Sequence, residues 1–309
     1  MCGIAGIIYR NGGGERAVGQ DMTRMLQAMK HRGPDSTGFA LYRGDADDYV
    51  VHVKLTETTN GDAELAARLD RQRDQVEQRM RAAGARIEDV KHTARTMVVG
   101  FVFDGDPKPI ADAIERVRHT EVLSLGRSLE IIKDLGDAET VAGEYDLSGY
   151  LGTHASGHAR MATESDVDIA NAHPYWAYPF PDVAVVHNGQ LTNFHDWRRR
   201  LQRAGHRFQS ECDSEIIAVY LAQRMSEGMT LEEAMHRSLE DLDGAFTYIC
   251  VTEDSLGVAK DELGAKPLVL YEDDNLVALA SEEIAIRQVL DREIETHDPY
   301  EGEVHVWSR

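Results

Sequence analysis

After Met1 the chain runs Cys2-Gly3-Ile4-Ala5-Gly6-Ile7-Ile8-Tyr9, an apolar stretch of strand length that stops at Asn11-Gly12-Gly13-Gly14. The glycine run lacks the Lys-Ser/Thr ending of a phosphate loop and reads as a flexible turn. Met22, Met25, Leu26 and Met29 then recur at helical spacing, which predicts a core-facing helix over 17–31. Residues 38–55 read as a hairpin, with strands at 38–42 and 49–55 around an acidic, glycine-containing turn. Over 62–89 the texture shifts to Arg, Gln, Glu and Ala, with Leu65, Leu69, Val76 and Met80 on one stripe, the pattern of a helix or helix pair. A strand over 96–103, a turn over 104–109 and a helix over 110–117 give a β-turn-α order that 121–125 and 128–135 repeat. Residues from about 56 to 150 therefore read as an inserted α/β lobe.

Beyond Gly152 the elements shorten and polar turns separate them. An apolar strand over 183–187 runs into Asn188-Gly189, a dipeptide that favours turns. Helices are predicted at 193–204, 213–227 and 231–241, and two strand pairs close the chain, 246–252 with 256–259 and 268–271 with 277–281. Strands at both ends with helices between them predict an α+β layered sandwich. No internal repeat or low-complexity tract interrupts it.

At 309 residues the chain has room for one large domain or two modest ones. No apolar run approaches the roughly 18 to 20 residues of a membrane span, and the start lacks the basic and apolar regions of a secretory signal, so a cytoplasmic protein is expected. Its three cysteines, Cys2, Cys212 and Cys250, are too scattered for a disulfide framework or a zinc site. A net charge of −21 argues against nucleic acid as a partner, because that affinity comes largely from Lys and Arg on phosphates. The acidic excess reads as a solvated surface, open to a basic partner protein.

Cys2 is the residue with most chemical promise. If Met1 is removed, which a small following side chain permits, one residue carries both a nucleophilic sulfur and a free α-amine. An α-amine titrates near about 7.7 to 8.0 and a thiol near about 8.5, so near neutrality the amine can take the thiol proton without a catalytic histidine.

Polar segments in a fixed order support that chemistry: His31-Arg32-Gly33-Pro34-Asp35-Ser36, Gly157-His158-Ala159-Arg160-Met161-Ala162-Thr163, Asn171-Ala172-His173-Pro174, His187-Asn188-Gly189 and Asp213-Ser214-Glu215. With Cys2 they resemble the class II glutamine amidotransferases, N-terminal-nucleophile hydrolases that release ammonia from glutamine. The resemblance covers both ends of the chain and omits about 56–95. It implies a four-layer αββα sandwich, discontinuous in sequence at about 1–55 and 151–309. Asp241-Leu242-Asp243-Gly244-Ala245-Phe246, the stretch Lys260-Asp261-Glu262-Leu263-Gly264-Ala265-Lys266-Pro267-Leu268, Ser281-Glu282-Glu283 and the ending Gly302-Glu303-Val304-His305-Val306-Trp307 look like the stand-alone amidotransferase subunits of glutamate-synthase-like systems, including N-methylglutamate synthase.

The resemblance implies roles residue by residue. Cys2 attacks the side-chain amide of glutamine and forms a γ-glutamyl thioester. The Asn188 amide and the Gly189 backbone N–H stabilise the oxyanion. Arg160 holds the α-carboxylate with its planar fork, and Asp213 meets the α-ammonium while standing at the start of a helix with Glu215 in its first turn. Met161, Thr163 and His173 line the glutamine pocket. Met161 departs from relatives such as the glucosamine-phosphate synthases, which carry tryptophan there, so the pocket lid is expected to differ. Arg32 and Asp35 read as a buried charge network holding the loop beside Cys2, and Lys260, Asp261 and Lys266 as scaffold or interface residues. His154 and His158 lie four apart in a strand-and-turn segment with no carboxylate or cysteine to complete a site, so no metal is expected.

The chain has no P-loop, no GxGxxG turn and no iron–sulfur cysteine set, so the ammonia acceptor is expected elsewhere and no cofactor is expected on this chain. Family analogy implies a separate glutamate-synthase-like subunit that carries FMN and an iron–sulfur centre, and it is compatible with a homo-oligomer. Two alternatives stay open: a free-standing amidase acting on another amide, and a catalytically silent regulatory subunit.

Overall fold

The strand Gly3–Tyr9 (β1) is apolar on both faces because both faces are buried. The computed structural model describes residues 2–10, 14–44, 46–55, 62–93, 96–161 and 169–309, with backbone alone at 62–64 and 170. The strands that follow are β2 (Ser36–Tyr42), β3 (Tyr49–Lys54), β4 (Arg86–His92), β5 (Thr96–Val102), β6 (Glu121–Gly126), β7 (Leu129–Leu135) and β8 (His154–Arg160). Next come β9 (Tyr175–Trp176), β10 (Ala184–Leu191), β11 (Gly244–Val251), β12 (Ser255–Lys260), β13 (Val269–Glu272), β14 (Leu276–Ala280) and β15 (Val304–Ser308). The helices are α1 (Val18–Ala28), α2 (Asp62–Ala82), α3 (Lys108–Ile114), α4 (Ala138–Glu144), α5 (Phe194–Arg203), α6 (Asp213–Ser226), α7 (Leu231–Asp241) and α8 (Glu283–Ile286).

One sheet runs β13-β14-β1-β8-β2-β7 and a second runs β15-β12-β11-β10-β9. Their facing sides pack Ile4 and Ile8 against Ile249, Val251, Leu256 and Val258. On the outer side of the first sheet, Ala5 and Ile7 meet Met22, Met25 and Leu26 of α1, with α4 and α8 in the same layer. On the outer side of the second, Val185, Phe246, Tyr248 and Cys250 meet Ile216, Ile217, Tyr220 and Leu221 of α6, flanked by α5 and α7. The order helix, sheet, sheet, helix is the expected αββα sandwich.

A third sheet, β4-β5-β3-β6, carries α2 and α3. Its apolar residues, among them Val51, Val53, Met97, Val99 and Phe101, are continuous with the interior of the sandwich. The outer strand β4 is exposed and lined by Arg86, Glu88, Asp89, Lys91 and His92, charges that discourage pairing with a further strand.

Three sequence expectations differ here. Residues 38–55 are not a hairpin: β2 pairs with β7 and β8 in the sandwich, whereas β3 pairs with β5 and β6 in the third sheet. Two apolar runs with a short link look alike whether they pair with each other or diverge, and only partners distant in sequence decide between the two. Residues 129–135, expected to repeat the helix of the β-turn-α order, form β7. That strand pairs along β2, and α4 behind it packs on α1, so 129–144 build the sandwich rather than the lobe.

Strand β8 positions the site. Toward α1 it presents Ala155, Gly157 and Ala159, small enough for close packing; a Cβ on Gly157 would fall 2.6 Å from Leu26 Cδ1. Toward the second sheet it presents His154, Ser156 and His158, a polar seam inside an apolar sandwich. Such groups persist only where neutral or paired. The His154 ring stacks on Tyr42 at 4.4 Å and its Nε2 lies 2.8 Å from the Thr252 carbonyl. Burial lowers His154 to about 4 despite that bond, and burial lowers His158 to about 3 with added repulsion from His187.

Both folded values lie below that of a free imidazole, so the stability they contribute is complete above about pH 6.5 and is lost as pH falls toward them. The urea midpoint is therefore expected to fall between about pH 7 and about pH 4.5, with a shallower fall in His154→Gln, which keeps a donor but cannot titrate. Equal slopes in the two proteins would contradict the assignment.

Candidate active site

Cys2 precedes the first residue of β1, a strand held between β14 and β8. Its carbonyl accepts from Asn188 Nδ2 at 3.1 Å and from Arg32 Nη1 at 3.4 Å. Ser281 closes the arrangement: its Oγ accepts from Ile4 N at 3.0 Å and from Asn188 Nδ2 at 3.3 Å, while its own N–H bonds the Ile4 carbonyl. The Cys2 sulfur is half-buried, 3.5 Å from the backbone N–H of Met161 and 3.9 Å from the Met161 carbonyl.

That sulfur opens into a cavity of about 390 Å³, within the range of small-ligand pockets, whose walls include Arg160, Asn188, Gly189 and Asp213. A further opening of about 600 Å³ shares Arg160, His173, Gly189, Gln190, Cys212 and Asp213 with it, so the two form one cleft. Two of these residues come from the ends of elements. Arg160 closes β8, and its carbonyl takes the Asp35 N–H at 3.1 Å, which gives Asp35 a place in holding that strand end. Asp213 begins α6, after Cys212 as capping residue, and its Oδ2 accepts from Leu191 N at 2.8 Å. A carboxylate in the first helical turn is favoured by the helix dipole. Glu215, buried two positions further on, fixes the approach to the helix by accepting from Gln209 N at 2.7 Å and Ser210 N at 2.8 Å.

Asn188 and Gly189 do not form a turn. They lie inside β10, paired with Thr247 and Phe246 of β11. Gly189 has φ 144°, and a Cβ there would fall 2.2 Å from the Ala245 carbonyl oxygen. Only glycine fits, for backbone conformation and for space. The dipeptide's turn statistics hid a strand position that needs glycine for close approach.

Arg32 lines the cavity, and the carboxylate that holds it is Glu282, which also takes His31 Nε2 at 3.1 Å. Partial burial pushes the Glu282 carboxyl up, but Arg32 and His31 outweigh it and hold it below its ordinary value. The expected charge network thus draws on a residue 250 positions away. Ser281, Ser214, Cys212 and Lys266 also stand at the site without having been singled out for it. Their signal was weak: Ser281-Glu282 and Asp213-Ser214 sat in matched segments, but nothing local tells a hydrogen-bond partner from a bystander. Lys260 and Asp261 act as scaffold, with Lys260 Nζ bonding the Pro299 carbonyl at 3.0 Å and Asp261 Oδ2 accepting from Leu263 N at 3.0 Å. Thr163 lies outside the described residues.

Behind the cavity His158, His173 and His187 are buried together, with the first two rings stacked at 4.1 Å. Burial drives His173 well below its ordinary value, reinforced by the neighbouring rings, and burial lowers His187 against the opposing pull of Asp213. These rings form a neutral wall. His154 and His158 are four residues apart along a strand, about 13 Å, and engage different partners. No group of three His, Cys, Asp or Glu side chains suited to a metal occurs among the described residues, and no helix among them is long and apolar enough to cross a membrane.

The cleft therefore offers a thiol beside an amide donor, with a guanidinium and a carboxylate further along the same wall, a charge pattern matched to a zwitterion. Residues 158–288 match the family model described as a glutamine amidotransferase domain. The chain is 40% identical to a putative glutamine amidotransferase of Methanothermobacter thermautotrophicus, over 99% of both chains. It is 34% identical to the glutamine amidotransferase-like protein GlxB of Rhizobium meliloti, over 99% of this chain and 98% of that one. In fold it is similar to glutamine phosphoribosylpyrophosphate amidotransferase from B. subtilis, with TM-score 0.62 and 20% identity over 99% of this chain and 47% of that one, so it spans about half that enzyme's length. With 34% to 40% identity over nearly the whole length of such relatives and the αββα sandwich, the chain belongs to the class II glutamine amidotransferases.

Proposed function

We propose that this chain hydrolyses glutamine through Cys2 and hands the ammonia to a separate synthase subunit. The observation that carries the reading is the placement of the Cys2 sulfur in one cavity with Asn188, Gly189, Arg160 and Asp213. With Met1 removed, the Cys2 α-amine takes the thiol proton, and the sulfur bonds to the side-chain carbonyl carbon of glutamine. The tetrahedral oxyanion is met by the Asn188 amide and the Gly189 N–H. The proton then passes to the amide nitrogen, the C–N bond breaks and ammonia leaves. Water hydrolyses the γ-glutamyl thioester, giving glutamate and the free thiol. Arg160 binds the α-carboxylate, Asp213 the α-ammonium, and Met161 and His173 complete the pocket.

The resemblance of residues 241–246, 260–268 and 302–307 to stand-alone amidotransferase subunits supports a glutamate-synthase-like partner as the acceptor, one that would supply FMN and an iron–sulfur centre. The cysteines Cys2, Cys212 and Cys250, all free, support a reducing, cytoplasmic setting.

Cys2→Ala is expected to abolish release of glutamate from glutamine, and a form that retains Met1 to be equally inactive although its thiol is intact. N-terminal mass analysis paired with a glutamate assay checks both, and turnover by the Met1-retaining form would refute the amine's role. Asn188→Ala is expected to lower kcat by about 10²- to 10³-fold with little change in KM, read from saturation kinetics.

A further inference from the structure

The wall behind the cavity holds a hydrogen-bond arrangement that the reaction above does not use. Ser214 Oγ lies 2.7 Å from His173 Nε2 and 2.7 Å from His187 Nδ1, and all three residues are buried. A hydroxyl has two lone pairs and one proton, so the directions of these bonds follow from where the imidazole protons sit. Burial keeps both rings neutral, with one N–H each. The remaining nitrogens, His173 Nδ1 and His187 Nε2, are buried with no hydrogen-bond partner among the described residues. A bare lone pair is better tolerated there than a bare N–H. The protons therefore sit on His173 Nε2 and His187 Nδ1, and both rings donate to Ser214.

With its lone pairs filled, Ser214 can only donate. Asp213 Oδ1 lies 3.4 Å from the Ser214 oxygen and 3.8 Å from His187 Nδ1. The Cys212 thiol adds a weak donor, 3.6 Å from the same carboxylate oxygen and 3.4 Å from Ser214 Oγ. The other oxygen, Oδ2, takes the Leu191 N–H at 2.8 Å. Both oxygens of Asp213 are thus addressed by the protein.

We propose that Ser214 is a positioning residue for substrate selection: it gathers two imidazole N–H groups and turns its own O–H onto Asp213, fixing that carboxylate to receive the α-ammonium of an amino-acid amide. The role rests on Asp213 meeting the substrate ammonium, as proposed above. Discrimination between glutamine and glutaramate, the same amide without the α-amine, reads it directly.

The ratio of kcat/KM for glutamine to that for glutaramate is measured on one preparation of each variant, so any loss of folded protein cancels. Asp213→Asn is expected to lower the ratio by about 10²-fold, Ser214→Ala by roughly tenfold, and Ser214→Thr, which keeps the hydroxyl, to bring it back toward the parent value. An unchanged ratio in Asp213→Asn would overturn the ammonium assignment itself. A lowered ratio in Asp213→Asn with an unchanged ratio in Ser214→Ala would overturn the positioning role alone.

Discussion

The site depends on the fixing of residue 2. Cys2 adjoins a strand inserted between β8 and β14, and its carbonyl is gripped by Asn188 from the second sheet and Arg32 from the segment after α1. Ser281 ties the same amide to the backbone of Ile4. A thiol one residue outside a central strand, with its own carbonyl clamped, has few places to go. Proximity of this kind removes much of the entropy that a nucleophile and its target would otherwise have to lose.

A polar reaction centre between two apolar sheets needs silent neighbours as well as active ones. The three histidines behind the cavity are neutral because burial makes their charged forms costly, so they line it without competing positive charge, and two of them, His173 and His187, bond Ser214. Arg160 and Lys266 then supply the cationic side of the cavity, and the wall behind remains uncharged. Acid lability is the other face of the same design, since protonating such rings is resisted only while the fold holds them dry.

Most elements were legible because their signals are local, and the candidate site residues were legible from the motifs that carry the family resemblance. Met22, Met25, Leu26 and Met29 mark α1 by period, and Cys2, Arg160, Asn188, Gly189 and Asp213 come together in one cavity. What could not be read is long-range. Nothing near Arg32 names Glu282, and nothing near β2 or β3 says that adjacent strands join different sheets. The Asn188-Gly189 pair misled because its composition suits a turn, while its neighbours in β11 hold it extended. Pairing across the fold outweighs the preference of two residues.

The bond from Leu191 to Asp213 joins the end of β10 to the start of α6 only two residues beyond Gly189. On the proposed reading, the carboxylate that inspects the substrate's amine is mechanically tied to the strand that stabilises its oxyanion. Fidelity and speed then share one hinge. A lineage that relaxed the choice of amide by shifting Asp213 would disturb its own rate, which narrows the routes by which this scaffold can acquire a different substrate.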